Sequence, residues 1–340
     1  MKNCKQLTAL ILALTLTFFG LKYTVEAAVT AVARRGERRT LAVGGELVGI
    51  RLKTKGVLIV GTDSFGSGGR TVSPAADAGL KKGDVLLTIG GEETPDGGTV
   101  TRLISQSAGL PLTLTFERDG ETKTATLTPE LSDATGEYKG GLWVRDSAAG
   151  IGTLTYSDPA TGRVAALGHG IYDADTGGIM TVSGGVITDA LFTYVVKGTA
   201  GAPGEIGGAL GDGTLAEVTA NTDEGVFGTV SVLEGEQTLY ETAFADEVKP
   251  GPAEIVCTVS ADGKAVYDAE ITRVLDRKSE TKNLIVKVTD ERLVDVTGGI
   301  VQGMSGAPIL QNGRLVGAVT HVFVNDPLSG YGIFIGNMLD

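Results

Sequence analysis

Short apolar stretches separated by polar turns predict a chain built mainly of β-strands. Residues 47–52 and 56–60 have strand-like length and pattern, and a Gly83-Asp84 turn precedes the apolar run at residues 85–89. Two segments, at residues 74–79 and 99–107, have helical patterns instead. We therefore predict that residues 46–130 form one compact module of strands and two short helices.

The second half of the chain continues the strand pattern. Turn signals occur at Asp158-Pro159, Asp262-Gly263 and Asn312-Gly313, and no long helix alternates with the strands. This predicts a β-barrel or sandwich rather than a doubly wound sheet. Residues 198–221 are rich in glycine and poorly periodic, which predicts an ordered functional loop or a mobile flap.

Composition narrows the class of protein. A length of 340 residues suggests about two domains. The net charge of −12 argues against nucleic acid as a partner, because phosphate binding needs basic surface. Two cysteines and two histidines give no zinc-ligand set of the usual spacing, so no metal or other cofactor is predicted.

The amino terminus has the pattern of an export signal. Lys2 and Lys5 precede an apolar run at residues 7–21, and Val25-Glu26-Ala27 resembles a cleavage site. The run is shorter than the ~20 apolar residues of a comfortable membrane span. Both a cleaved leader and a retained anchor stay open for residues 1–27, with residues 28–45 as a linker. Either way, the rest of the chain is expected outside the cytoplasm.

The strongest chemical signal is Gly303-Met304-Ser305-Gly306-Ala307-Pro308. Glycines at 303 and 306 allow a tight turn that exposes the Ser305 hydroxyl. The amides of Gly303 and Ser305 are then the candidate donors for an oxyanion. Chymotrypsin-like proteases have a similar Gly-x-Ser-Gly-x-Pro run, whereas the α/β-hydrolase elbow requires a glycine where this chain has Ala307.

His169 is the first candidate for the general base, because an apolar strand at residues 163–168 leads into it. His321, 16 residues after Ser305, is the rival base. Spacing alone leaves the acid that would orient the base undecided among four carboxylates: Asp173, Asp175, Asp290 and Asp326.

The run from Ser73-Pro74-Ala75 to Thr88-Ile89-Gly90, with Ala78-Gly79-Leu80 and Gly83-Asp84-Val85 between, resembles a PDZ domain. The resemblance implies a groove that receives an extended peptide as an added strand. We expect the carboxylate-binding loop of this groove near five residues: Gly45, Leu47, Val48, Gly49 and Ile50. A packing module without a ligand is the alternative.

Residues 296–305, 320–327 and 146–153, together with Leu167-Gly168-His169, closely resemble the SpoIVB family of sporulation signalling peptidases. The resemblance implies a mainly β chain with a PDZ-like domain followed by a chymotrypsin-like double β-barrel at residues 139–340. It also implies Ser305 as nucleophile, His169 as base and Asp290 as orienting acid. Residues 334–339 depart from the family pattern, which leaves the expected final helix in doubt.

The resemblance further implies an exported serine endopeptidase. Such enzymes cleave themselves and a membrane-bound regulator in the space between forespore and mother cell. The cut releases an intramembrane metalloprotease that matures a sigma factor. The PDZ-like module would hold the enzyme inactive or bind peptide tails. The alternatives are a catalytically silent PDZ adaptor and a structural envelope protein, and the intact Ser, His and Gly residues favour the enzyme.

Overall fold

The computed structural model describes residues 38–230 and 237–339. In these two segments, strands joined by tight turns predominate. The strands are β1 Thr40–Val43, β2 Leu47–Thr62, β3 Phe65–Ser67, β4 Arg70–Val72, β5 Val85–Ile89, β6 Glu92–Glu93, β7 Leu112–Arg118, β8 Glu121–Leu127, β9 Glu130–Leu131, β10 Tyr138–Lys139, β11 Leu142–Ser157, β12 Arg163–Ala166, β13 Val182–Val196, β14 Glu205–Thr222, β15 Gly225–Thr229, β16 Leu239–Glu241, β17 Gly251–Thr258, β18 Lys264–Val274, β19 Leu284–Val288, β20 Pro308–Gln311, β21 Arg314–Phe323 and β22 Asp326–Phe334. The helices are α1 Pro74–Asp77, α2 Gly97–Gln106, α3 Glu291–Thr297 and a 3₁₀ helix, Ile335–Met338.

Six strands close a first antiparallel barrel. They follow one another as β2, β11, β12, β15, β14 and β13. The ring closes on β2, where Ile50 lies opposite Gly150 of β11 on one edge and Ile187 of β13 on the other. Alternate side chains point inward, so that Ile50 and Ile187 are fully buried among apolar neighbours.

The second barrel also has six strands, in the order β17, β18, β19, β22, β21 and β20. Pairing of β17 with β20 closes it. Its buried interior includes Ile255, Val286 and Ile309, and the same apolar cluster takes in Leu47 and Ile206 from the first barrel. The two barrels therefore share an apolar seam.

A third unit is inserted between strands of the first barrel. The second half of β2 leaves the barrel and pairs with β5, where Val57 lies opposite Leu86. The first half of β11 returns along β2. A separate core under α1 and α2 includes Val57, Leu86 and Ile104. The predicted fold class, a PDZ-like domain with a chymotrypsin-like double barrel, is confirmed.

The strand pairing divides the chain differently from the predicted segments. Residues 48–53, assigned by sequence to the PDZ-like domain, pair on both edges within the first barrel. Thr40–Val43, assigned to the linker, forms β1 beside β11 and β16. The predicted leader or anchor at residues 1–27 lies outside the described residues. Within the described parts of the chain, no helix has the length and apolar character needed to span a membrane.

The glycine-rich stretch predicted as a loop or flap is for the most part strand β14, hydrogen-bonded to β13 and β15. Its glycines make room for side chains of the neighbouring strand. A Cβ on Gly207 would lie 2.2 Å from the ring of Tyr194, and one on Gly211 would lie 2.0 Å from the carboxylate of Asp189. Glycine here reflects close packing in a strand rather than mobility.

Candidate active site

Ser305 lies in a turn that only glycine permits. Helix α3 ends at Gly298 in the left-handed conformation, and the chain then reaches Ser305 between Gly303 (φ +96°) and Gly306 (φ +93°). A Cβ on Gly306 would lie 2.2 Å from the carbonyl oxygen of Thr153. The predicted turn is therefore present, packed directly against the first barrel.

Thr153 and Thr155 of β11 fasten this turn to the first barrel. The Thr153 hydroxyl donates to the Gly303 carbonyl at 2.7 Å, and its amide donates to the Ser305 carbonyl at 2.9 Å. The Thr155 hydroxyl donates to the Gly306 carbonyl at 2.8 Å. Both threonines are buried. Sequence reasoning missed them, because a threonine in a strand carries no local sign of such a partner.

The Ser305 hydroxyl donates to the carbonyl of Thr320, on β21, at 2.7 Å. No acceptor for the amides of Gly303 and Ser305 is found among residues 38–230 and 237–339. The side-chain oxygen of Thr320 is buried and has no hydrogen-bond partner in that part of the chain. The Ser305 turn therefore keeps two backbone amides that are available to donate to an oxyanion.

His169 belongs to the first barrel and follows strand β12. After β12 the chain turns through two left-handed residues, Leu167 (φ +71°) and Gly168 (φ +67°), before His169. Left-handed backbone is uncommon for a leucine and often marks a functional site. The His169 ring lies 4.7 Å from the ring of His321, centre to centre. The two candidate bases therefore lie side by side, and His321 directly follows Thr320, whose carbonyl accepts from the Ser305 hydroxyl.

A backbone carbonyl fixes the tautomer of His169. Its Nδ1 lies 2.8 Å from the carbonyl oxygen of Gly170. Because a carbonyl only accepts, Nδ1 carries the proton and Nε2 keeps its lone pair. Loss of hydration lowers the pKa of His169, and the bond to Gly170 partly opposes this. The side chain is therefore neutral, as a general base must be, at neutral pH.

His321 is exposed on β21. Its pKa is lowered to about 4, first by loss of hydration and then by the charges of His169 and Lys282. It is neutral at neutral pH as well.

Asp290, predicted as the orienting acid, has other partners. It is the N-cap of α3, and its carboxylate accepts from the amide of Arg292 at 2.9 Å and from the amide of Asp268 at 3.2 Å. The Arg292 guanidinium donates to it at 2.6 Å and is the main cause of a pKa lowered to about 2. The structure therefore makes Asp290 a helix cap. Within the described residues no hydrogen bond joins its carboxylate to His169, and its role as orienting acid stays a prediction.

The other candidate acids are also placed elsewhere. Asp173 and Asp175 both pair with Arg145. Asp326 is exposed at the start of β22. In the described chain, the group that holds the His169 ring is a carbonyl rather than a carboxylate.

The five residues predicted to line the peptide groove lie in or beside the first barrel. Leu47, Val48, Gly49 and Ile50 pair with β11 on one edge and, from Val48 onward, with β13 on the other. The Gly45 amide donates to the Leu154 carbonyl at 2.8 Å. An added strand needs an unpaired edge, so these residues cannot form the groove, and the prediction is corrected.

A cleft of about 400 Å³ lies instead between α2 and residues 138–144. Val100, Thr101 and Ile104 line it on the helix side, and Leu142 and Trp143 line it on the strand side. At this point β11 pairs with β2 on one edge, and no described strand pairs with its other edge. The cleft thus offers the unpaired strand edge that the predicted residues lack.

Comparison with known proteins agrees with this architecture. Residues 67–118 match the PDZ domain family. A putative zinc metalloprotease of Mesorhizobium japonicum is 41% identical over 61 residues, which is 18% of this chain and 17% of that protein. The zinc metalloprotease RasP of Geobacillus kaustophilus is 31% identical over 116 residues, 32% of this chain and 28% of that protein. The chain spans less than a third of the length of either relative.

Solved structures with detectable similarity include the active form of the Rv3671c protease from M. tuberculosis. It is 17% identical, with a TM-score of 0.34, over 56% of this chain and 71% of that one. The PDZ domain of the SdrC-like protein from Listeria monocytogenes is 19% identical, with a TM-score of 0.22, over 26% of this chain and 87% of that one.

Residues 136–339 match the SpoIVB peptidase S55 family. This match takes in both histidines, the Ser305 turn, the whole second barrel and most strands of the first. Because it spans more than half of the chain, the protein belongs to the SpoIVB peptidase S55 family and also carries a PDZ domain.

Proposed function

We propose that the chain is a serine endopeptidase with Ser305 as nucleophile and His169 as general base. The observation that carries this is the glycine turn of Ser305, which is hydrogen-bonded to Thr153. The Thr153 carbonyl in turn accepts from the amide of Leu167, two residues before His169, whose Nε2 keeps a lone pair. Gly170, through its carbonyl, holds the imidazole in the tautomer that a carboxylate fixes in a Ser-His-Asp triad.

Catalysis begins when the Ser305 hydroxyl turns from the Thr320 carbonyl to His169. Nε2 takes the proton as Oγ bonds to the substrate carbonyl carbon, and the amides of Gly303 and Ser305 stabilise the oxyanion. The C–N bond then breaks and the imidazolium gives its proton to the leaving amine. Water repeats the sequence on the acyl-enzyme, which releases the acid and restores Ser305.

The proposed substrates are the chain itself and a membrane-bound regulator of an intramembrane metalloprotease, in a sporulation signalling pathway. Family membership supports this, as does the export pattern at residues 1–27. The chain would act in the space between forespore and mother cell. Its cleft between α2 and β11 would bind an extended peptide tail as an added strand.

The test uses full-length protein in mild detergent with a fluorophosphonate probe, followed by intact mass over time. We expect covalent labelling at Ser305 in the wild type and in Ser147→Ala, a control at an exposed serine of β11. We expect no labelling in Ser305→Ala, and self-cleavage fragments only where Ser305 is present. Folded wild-type protein that takes up no probe would contradict the peptidase assignment.

A silent peptide-binding adaptor is the second candidate. The observation that favours it is the resting hydrogen bond from the Ser305 hydroxyl to Thr320, which points the nucleophile away from a base. This reading expects peptide binding at the α2–β11 cleft together with no labelling of wild-type Ser305.

A further inference from the structure

The two histidines of the chain, one from each barrel, lie close enough to share a metal ion. Their ring centres are 4.7 Å apart and their planes are inclined by 36°. Two imidazoles on one tetrahedral zinc ion, with Zn–N of about 2.1 Å, have ring centres about 5 Å apart. The observed separation of 4.7 Å is close to this distance.

His169 already has the hydrogen bonding of a metal-ligating histidine. Such residues donate their second ring N–H to a carbonyl or carboxylate, which fixes the ring and directs the other nitrogen at the ion. His169 makes this bond from Nδ1 to Gly170 at 2.8 Å. Its Nε2 is thereby the nitrogen available to an ion.

His321 leaves the pair open to solvent. It is exposed on β21, and within the described chain no hydrogen bond to its ring is found. Water can therefore complete the coordination. The charge on Lys282, which acts on His321, opposes a cation, while the net charge of −12 favours one. With only two protein ligands, the ion should bind reversibly and be readily removed by a chelator.

We propose that His169 and His321 together bind Zn²⁺ or a divalent ion of similar ligand preference. The bound ion occupies the nitrogen that takes the Ser305 proton. Metal binding as such stands apart from the proposed function, whereas inhibition by the metal rests on it. Imidazole ligands suit zinc, copper and nickel and exclude magnesium as a competitor.

Binding is tested on full-length Ser305→Ala protein, so that catalysis plays no part. Zn²⁺ is titrated in competition with a chromophoric chelator, with Mg²⁺ as the control ion. We expect one equivalent in Ser305→Ala and at least tenfold weaker binding when His321→Gln or His169→Gln is added. His321 is exposed, so His321→Gln should keep its melting temperature and decides the test if His169→Gln unfolds. Unchanged zinc binding in the folded His321→Gln protein would overturn the site.

Inhibition is read from the rate of fluorophosphonate labelling at Ser305. Saturating Zn²⁺ should slow labelling of the wild type at least tenfold, with recovery on addition of EDTA. His321→Gln should keep its own zinc-free rate at the same Zn²⁺ concentration. Zinc binding that leaves the wild-type labelling rate unchanged would overturn the proposed inhibition. Absence of labelling even with EDTA counts against the proposed function and leaves the binding result standing.

Discussion

At the scale of single residues, the hydrogen bond from His169 Nδ1 to the Gly170 carbonyl has two consequences for the base. It selects the tautomer in which Nε2 accepts a proton. It also supplies no negative charge, so nothing like a carboxylate stabilises the imidazolium. Burial then dominates, and the pKa of His169 falls below its ordinary value of 6.5.

This predicts the pH dependence of labelling at Ser305. His169 accepts a proton only when neutral, so the rate should fall as pH drops through the pKa of His169 and level off above it. The midpoint should lie below pH 6.5, since desolvation lowers this pKa. The measurement is the fluorophosphonate labelling rate from pH 4 to 9. A midpoint above 6.5 would indicate a carboxylate beside His169 and contradict the carbonyl-held arrangement.

Asp290 gives a second prediction at this scale. As the N-cap of α3 it accepts from Arg292 and Asp268, and loss of such a cap costs about 1 kcal/mol. Asp290→Ala should lower the free energy of unfolding by about that amount. Asp290→Asn, which still caps, should be closer to the wild type. Both should label at Ser305 within about threefold of the wild-type rate.

The rival role for Asp290 predicts a different result. Replacing the acid of a Ser-His-Asp triad by its amide lowers kcat by about 10⁴. Chemical denaturation and labelling on the same samples separate the two roles. A loss of that order in Asp290→Asn, with unchanged stability, would show that Asp290 acts on His169.

At the scale of elements, β11 links the proposed nucleophile, Ser305, to the segment that carries the proposed base, His169. Thr153 donates through its amide and hydroxyl to the Ser305 turn, and its carbonyl accepts from the Leu167 amide, just before His169, at 3.3 Å. Thr153 thus contacts both the Ser305 turn and the segment that leads to His169. Its backbone contacts survive any substitution that keeps the strand, so the hydroxyl can be tested alone.

Thr153→Val removes that hydroxyl and keeps the shape of the side chain. The half-buried Gly303 carbonyl loses the 2.7 Å bond from the buried Thr153 hydroxyl, which should cost about 1–3 kcal/mol of stability. The turn that presents Ser305 loosens, and we expect labelling to slow about tenfold. Thr272→Val is the matched control, because the Thr272 hydroxyl makes a 3.2 Å bond from an exposed position of β18. Equal effects of the two substitutions would argue against a specific role for Thr153.

Elements also show where sequence reasoning succeeded and where it failed. The Ser305 turn was predictable because Gly303 and Gly306 can adopt the backbone angles of a tight turn without a Cβ clash. The peptide groove was not, because the strands at residues 47–52 and 56–60 are one continuous strand that changes partners midway. Partners distant in the chain decide whether a strand edge is available, and a local pattern does not reveal them. The hydrogen-bond partners of the Asp290 carboxylate are likewise set by where β18 and α3 meet. The sequence around residue 290 does not reveal that meeting.

At the scale of the whole molecule, β11 joins the α2–β11 cleft to the catalytic site without interruption. Its first residues, near Trp143, line the cleft, and its last turn inward at Thr153 and Thr155 to hold the Ser305 loop. The insertion of the PDZ domain between β2 and β11 therefore places the proposed peptide cleft and the support of the proposed nucleophile on one strand. The start of β11 is therefore linked to the Ser305 turn through the strand itself and the hydrogen bonds of Thr153 and Thr155.

Filling the cleft tests whether it is the peptide site. Thr101 lies on the exposed side of α2 and faces the cleft, so Thr101→Trp should occupy the space without disturbing the core. Binding of fluorescent peptides selected on the wild type from a library of random seven-residue carboxyl termini should weaken at least tenfold, by polarisation. Arg102→Gln is the control, since Arg102 is exposed and pairs with Glu92 rather than lining the cleft. Undiminished binding to a folded Thr101→Trp protein would place the peptide elsewhere, whereas loss of binding in both variants would indicate a general disturbance of α2.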